Sequence, residues 1–183
     1  MLELQLILVD KADQAIGSAE KQLVHVEGLL HRAFSLFIFN SRGELLLQQR
    51  NRNKYHTPGL WSNSCCSHPS PDEDFNSAIH RRLMEEMGFD CQLKEIFQCY
   101  YRLELDNHLV EHENNHICIG FFDGEPCPNP AEVDDWRWQN LDDLARETVR
   151  SAQTFTPWFR LIVRDYYRTF QNALQPSATG IRP

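Results

Sequence analysis

The chain has 183 residues, 42% of them hydrophobic, which is the size of one domain and enough to bury a substantial core. Its 26 acidic residues outnumber 18 basic ones for a net charge of −8, and the one basic cluster is Arg50, Arg52 and Lys54, so a nucleic-acid partner is disfavoured for want of a positive stripe. The clearest apolar runs, 6–9, 36–39 and 117–122, fall far short of a membrane span, and the N-terminal stretch has neither a basic n-region nor a small-residue cleavage site, so a cytoplasmic protein without a membrane partner is expected.

Residues 4–9 read as a first strand, with a turn at 10–13. The apolar-rich runs 33–40 and 44–49 are joined by Ser41, Arg42 and Gly43, the pattern of a β-hairpin with a glycine-containing loop. Ser70, Pro71 and Glu73 supply an N-cap, a proline at N1 and a glutamate at N3. That is a capping box, which predicts a helix from there to about Met87, with Gly88 as the left-handed residue past its end. Residues 91–105 and 109–122 read as two strands meeting at Asp106 and Asn107, followed by a strand over 134–138 and a short helix near 141–150. Thr156 and Pro157 open a last helix, in which Trp158, Leu161, Ile162, Tyr166 and Phe170 recur at helical spacing. This irregular interleaving predicts an α/β (α+β) fold, with mixed β-sheets sandwiched between helices. One domain is expected over 1–174, with the polar, Pro- and Gly-containing stretch 175–183 as a frayed tail.

The helix ending near Met87 breaks its own pattern. At about 100° per residue, Phe75, Ala78, Ile79 and Leu83 define one apolar face, yet Arg82 and Glu86 fall in its middle. Buried charges are paired or liganded. Either Arg82 and Glu86 seal each other as an i,i+4 pair, or the face looks into a site holding metal or phosphate, with Glu85 at its border.

Other chemistry-bearing residues flank this helix. If 61–69 is extended, Cys66 and His68 share a face and Cys65 points the other way; Glu111 and Glu113 likewise share one face of a later strand. With His25 and His31 these residues could form a mixed nitrogen–oxygen site suited to Mn2+, Zn2+ or Mg2+. The remaining cysteines, Cys91, Cys99, Cys118 and Cys127, form no C-x-x-C pair with one another or with Cys65 and Cys66, so reduced and mostly buried thiols without a role are expected.

Counted from Ser67, the chain reads Ser-x5-Glu73-x7-Arg81-Arg82-Leu83-Met84-Glu85-Glu86-Met87-Gly88-Phe89. This resembles the Nudix box, G-x5-E-x7-R-E-U-x-E-E-x-G-U with U a bulky aliphatic residue. Ser67 replaces the first glycine, and Arg82 replaces a glutamate that holds metal in Nudix hydrolases. An arginine there subtracts an oxygen ligand and adds positive charge, which favours gripping a diphosphate over hydrolysing it. A closer resemblance is carried in order by EKQLVHVEGLLHRAFS, PGLWSNSCCSHP, RRLMEEMG, YYR, VEHEN and FTPWF, from about Glu20 to Trp158. By these segments the chain is identified as a member of the type I isopentenyl-diphosphate isomerases, Nudix-superfamily proteins that isomerise rather than hydrolyse. The W-x-N-x-x-C-[SG]-H-P block from Trp61 is the most specific part, while His112 and His116 are additions to the glutamate strand.

The resemblance implies interconversion of isopentenyl and dimethylallyl diphosphate, a small-molecule substrate, through a tertiary carbocation; a monomer is expected. It implies Cys66 and Glu113 as the proton-transfer residues, with Tyr101 beside Glu113. His25, His31, His68, Glu111 and Glu113 match the family's metal ligands, for Mn2+ or Zn2+. Glu86 matches the ligand of a Mg2+ that also binds the diphosphate, with the Cys66 carbonyl as a further ligand. Lys21, Arg50, Lys54 and Arg82 match the diphosphate-binding cations, and Trp158 the aromatic residue over the isoprenoid tail. Two other readings, a divergent Nudix diphosphohydrolase acting on nucleotide diphosphates and a silent diphosphate sensor, are opposed by Arg82 and by intact Cys66, Glu113 and Tyr101 respectively.

Overall fold

The computed structural model describes residues 4–175; the rest of the expected frayed tail lies outside the described residues. In chain order the elements are β1 (Gln5–Val9), β2 (Ala15–Glu20), α1 (Lys21–Glu27), β3 (His31–Phe39), β4 (Glu44–Arg50), β5 (Trp61–Ser62), β6 (Cys65–Ser67), α2 (Phe75–Met87), β7 (Leu93–Glu104), β8 (Val110–Phe121), β9 (Val133–Asn140), α3 (Leu141–Arg150) and α4 (Pro157–Ala173). No described helix is long and apolar enough to cross a membrane.

β3 is the axis of a mixed sheet. It pairs antiparallel with β1 and β6 and parallel with β8, from His31 opposite Glu113 to Phe39 opposite Phe121. β7 and β8 form a long antiparallel hairpin, and β9 lies along β4. A strand covered on both faces is apolar over most of its length, and β3 reads HRAFSLFIF, with 36–39 wholly buried. Phe34, Leu36 and Ile38 pack towards Ala78, Ile79, Leu83 and Met87 of α2. Phe37 and Phe39 join Ile117, Ile119, Leu144, Phe159, Ile162 and Phe170, under α3 and α4. The expected mixed sheet between helices is what forms.

Alternation along β3 and β8 then positions the site. Residues 31, 35, 37 and 39 share one face, as do 113, 115, 117 and 119 on the neighbouring strand in register with them. The α4 end of that face is aromatic and aliphatic, while the other end carries His31, Ser35, Glu113 and Asn115, all buried.

Three local expectations need correction. The runs at 33–40 and 44–49 are strands, but their hairpin is limited to Phe39 opposite Leu45, because β4 diverges to pair with β5 and β9. β2 and α1 were not anticipated. β2 is largely exposed, and the seven-residue α1 buries only Val24 and His25, so neither carries a periodic signal. The helix expected from Ser70 begins instead at Phe75, with the Asp74 carboxylate capping the Ser77 N–H at 3.0 Å. Half of the capping box forms, Ser70 N–H to Glu73 Oε2 at 3.3 Å, but the Glu73 N–H goes to the Ser70 backbone carbonyl at 3.0 Å, which makes a turn ahead of the helix. Glu73 is held there by Arg81, whose Nε and Nη2 donate to its carboxylate at 2.6 and 2.7 Å.

Candidate active site

Strand register assembles the site. His31 sits opposite Glu113 across β3 and β8, Tyr101 opposite Glu113 across β7 and β8, and Ser35 opposite Cys66 across β3 and β6. Cys66 and Glu113 therefore come from strands on either side of β3. As alternation requires, Cys65 turns to the α2 side and Cys66 to the site.

The histidines are held for ligation. His25 and His31 are wholly buried, and their Nδ1 atoms meet the carbonyls of Lys21 at 2.6 Å and Leu29 at 2.9 Å. A proton on Nδ1 directed at a carbonyl leaves Nε2 with its lone pair turned inward, the orientation that metal-binding histidines adopt. Both Nε2 atoms and Glu111 Oε2 are buried without a hydrogen-bond partner. One ligand atom from each of His25, His31, His68 and Glu111 lies within 4.8 Å of the others. Glu113 Oε1 is 3.3 Å from His68 Nε2 and 3.6 Å from His31 Nε2. Orphaned polar atoms are costly in a protein interior unless a ligand takes them, so these residues fit a divalent cation.

Electrostatics point the same way. Burial and the neighbouring Glu113 charge raise the pKa of Glu111, whereas Glu113 is held well below the usual range because the nearby His31 and His68 overcome burial. Burial drives His68 down to about 3 despite Glu113, leaving it neutral, and pushes the Cys66 thiol up to about 11. Tyr101 is raised well above its ordinary value by burial and by Glu113, to which its hydroxyl donates.

A cavity of about 110 Å3 is lined by Lys21, Arg50, Lys54, Cys66, His68, Arg82, Glu86, Tyr101, Glu111, Glu113 and Trp158, with His25 and His31 behind it. It adjoins an outer hollow of about 650 Å3 that shares Lys21, Lys54, Ser67, His68 and Arg82. Burial and the adjacent Lys54 lower the pKa of Lys21, the result of crowding cations at the mouth. Lys54 pairs with Glu132, and Arg82 with Glu85 at 2.6 Å and with Glu86. Glu86, 3% exposed, also accepts from Gln48 Nε2 at 3.0 Å. Arg82 and Glu86 thus form the i,i+4 pair and face the cavity as well; the two readings of the broken helix face are compatible. Arg50 donates to the Thr57 and His56 carbonyls at 3.3 and 3.2 Å and lies 5.3 Å over the Trp158 ring.

Sequence reasoning missed several neighbours. His56, within an irregular loop that offers no periodicity, brings its Nε2 to 3.4 Å from Glu111 Oε1; burial and Arg50 push its pKa down to about 2. Ser35, Asn63 and Asn115 surround Cys66 and Glu113, contacts that only strand register reveals. His112 and His116 turn elsewhere, to the Gly28 carbonyl at 2.8 Å and to Asp13 at 2.9 Å.

The family model described as NUDIX domain matches residues 29–159. The isopentenyl-diphosphate Delta-isomerase of Pectobacterium atrosepticum is 47% identical over 171 residues, covering 92% of this chain and 96% of the relative. Its counterpart from Serratia proteamaculans is 51% identical over 160 residues, covering 87% and 89%. Among solved structures, DR0079 from Deinococcus radiodurans aligns with a TM-score of 0.75 at 18% identity, over 90% of this chain and 99% of that one. A MutT protein from Methanosarcina mazei aligns at 0.62 and 20% identity, over 76% and 94%; both are likenesses of fold. With a Nudix model over most of its length and relatives near half identity, this chain belongs to the Nudix superfamily and, within it, to the type I isopentenyl-diphosphate Delta-isomerases.

Proposed function

We propose that Cys66 and Glu113 move the two protons in the interconversion of isopentenyl and dimethylallyl diphosphate, the reaction of isoprenoid biosynthesis that this enzyme performs. One proton is added to the terminal alkene carbon and another is removed from C2, with a tertiary carbocation between the steps. Such chemistry needs a donor, an acceptor and little water. The observation that carries the assignment is geometric: Cys66 and Glu113 reach one cavity from strands on either side of β3. Burial favours the neutral Cys66 thiol, and the nearby His31 and His68 favour an ionised Glu113. A thiol can give a proton and a carboxylate can take one, and the reverse reaction exchanges the roles.

Tyr101 donates to Glu113 and steadies it, and the Trp158 ring lining the cavity offers a π-face to the carbocation. Lys21, Arg50, Lys54 and Arg82 grip the diphosphate with charge-assisted hydrogen bonds. His25, His31, His68, Glu111 and Glu113 would hold Mn2+ or Zn2+, and Glu86 with the Cys66 carbonyl would hold Mg2+ together with the diphosphate. When bound, the cation at the histidines supplies positive charge beside Glu113, which makes a proton there more acidic. The reading is completed by a cytoplasmic enzyme working as a monomer on a small prenyl diphosphate, and the net charge of −8 speaks against a nucleic-acid partner.

Incubation with isopentenyl diphosphate and Mg2+ in D2O tests the reading. Deuterium is expected in the dimethylallyl diphosphate formed, with no phosphate released. Phosphate release would mark a diphosphohydrolase, and the absence of both signals a binding protein; either result sinks the isomerase reading.

A further inference from the structure

Two uncharged polar residues stand where the face shared by β3 and β8 passes from its histidine and carboxylate end to its apolar end. Ser35 is wholly buried and Asn115 is 1% exposed, on the face that continues into Phe37 and Ile117. Their hydrogen bonds run in one direction. Asn115 Nδ2 lies within donating distance of three acceptors for its two hydrogens, the Tyr101 oxygen at 2.8 Å, Glu113 Oε2 at 3.0 Å and Ser35 Oγ at 3.1 Å. Tyr101 passes its own proton to Glu113. Ser35, already an acceptor from Asn115, turns its proton to Cys66 Sγ, 3.3 Å away. The Cys66 S–H in turn donates to Asn63 Oδ1 at 2.9 Å, an amide fixed because its nitrogen donates to the Leu36 and Cys65 carbonyls at 3.1 and 2.9 Å.

The other end of the Asn115 amide is unused: its Oδ1 is buried with no hydrogen-bond partner. An amide placed for stability alone would satisfy both ends, because a buried unpaired acceptor is a standing cost. We infer that Asn115, directly and through Ser35, is a positioning residue that holds Cys66 and Glu113 in fixed relation to each other. The inference rests on the reading of those two as the proton-transfer groups. One amide in contact with both arms sets the orientation of the sulfur lone pairs on one side and of the carboxylate on the other. The substrate then meets two groups whose separation does not vary.

Ser35→Ala, Ser35→Thr and Asn115→Leu test this in the full-length, metal-loaded enzyme, beside Cys66→Ala and Glu113→Gln. Ser35→Ala is expected to lower kcat about tenfold with KM unchanged, the worth of one hydrogen bond. Ser35→Thr keeps the hydroxyl and should recover most of that loss. Asn115→Leu, which frees both arms, is expected to lower kcat roughly a hundredfold. Its melting temperature should hold, because leucine also removes the unpaired acceptor. Wild-type kcat in Ser35→Ala and Asn115→Leu, with Cys66→Ala and Glu113→Gln inactive, would overturn the positioning role and leave the proton-transfer reading intact. So would a kcat loss that tracks a falling melting temperature and that Ser35→Thr does not restore. Activity retained by Cys66→Ala and Glu113→Gln would instead remove the underlying reading, and the positioning role with it.

Discussion

Cys65 lies in the core beside Leu36 and Leu83 on the α2 side of the sheet, whereas Cys66 lines the cavity one residue later. Cys66→Ala is therefore expected to abolish isomerisation with the fold retained, and Cys65→Ala to cost stability with far less effect on turnover. Equal loss of turnover from both would contradict the β6 register. Arg82 is a sharper case, because it both faces the cavity and pairs with the nearly buried Glu86. Charge-assisted hydrogen bonds contribute about 1.5–3 kcal/mol each, so Arg82→Gln should raise KM about tenfold or more if Arg82 holds diphosphate. It should also lower the melting temperature, since Glu86 loses its guanidinium and keeps only uncharged partners such as Gln48. A large melting loss with KM unchanged would reduce Arg82 to a structural pair. Residues such as Cys66, His68, Glu111 and Glu113 were legible because strand alternation acts within one segment. Ser35, Asn63 and Asn115 were not, because each acquires its meaning from a partner 27 to 80 positions away or from an irregular turn.

At the scale of elements, α3 and α4 were legible to within a residue or two because caps and apolar spacing agree: Asn140 caps α3, and Pro157 opens α4. α2 was misread at its start because a side chain made a stronger bond than the cap could. Glu73, drawn to Arg81, has its carboxyl pKa lowered by that hydrogen bond. A depressed folded-state pKa contributes stability above the unfolded value of about 4.3 and loses it as pH falls through the folded value. Glu73→Gln should therefore melt lower than the parent at pH 7, with the gap closing below about pH 4. A gap that persists unchanged at pH 2 would show that the pair does not tether the loop to α2. The far end of the helix is set by geometry: Gly88 has φ 74°, and a Cβ there would stand 2.1 Å from the Cys127 carbonyl oxygen. Gly88→Ala should cost at least about 1–2 kcal/mol for the left-handed backbone alone, before any clash; an unchanged denaturant midpoint would refute this.

Across the whole molecule, one sheet face changes character along its length, from Phe37, Phe39, Ile117 and Ile119 under α4 to the histidines and carboxylates at the other end. The apolar end excludes water, and the polar end leaves buried groups that a cation would satisfy together: Glu111 Oε2 and the two inward Nε2 atoms of His25 and His31, all without hydrogen-bond partners. Glu86, by contrast, is a single carboxylate beside cations, and on the proposed reading it would hold Mg2+ only together with the diphosphate. Chelation should therefore act in two stages. Brief EDTA treatment followed by Mg2+ alone should restore activity, whereas prolonged treatment should also require Mn2+ or Zn2+. The second stage has a readout independent of turnover. A ligand bound only to the folded state stabilises it by about 2.7 kcal/mol at a hundredfold excess over Kd. Loss of the inner ion should thus lower the melting temperature, and re-addition should raise it in proportion to the metal regained. His31→Ala should abolish that response, because it takes one imidazole from a set whose atoms lie within 4.8 Å of one another. Protein isolated without a transition metal, and with a melting temperature indifferent to long chelation and to added Mn2+ or Zn2+, would remove the histidine site from the mechanism.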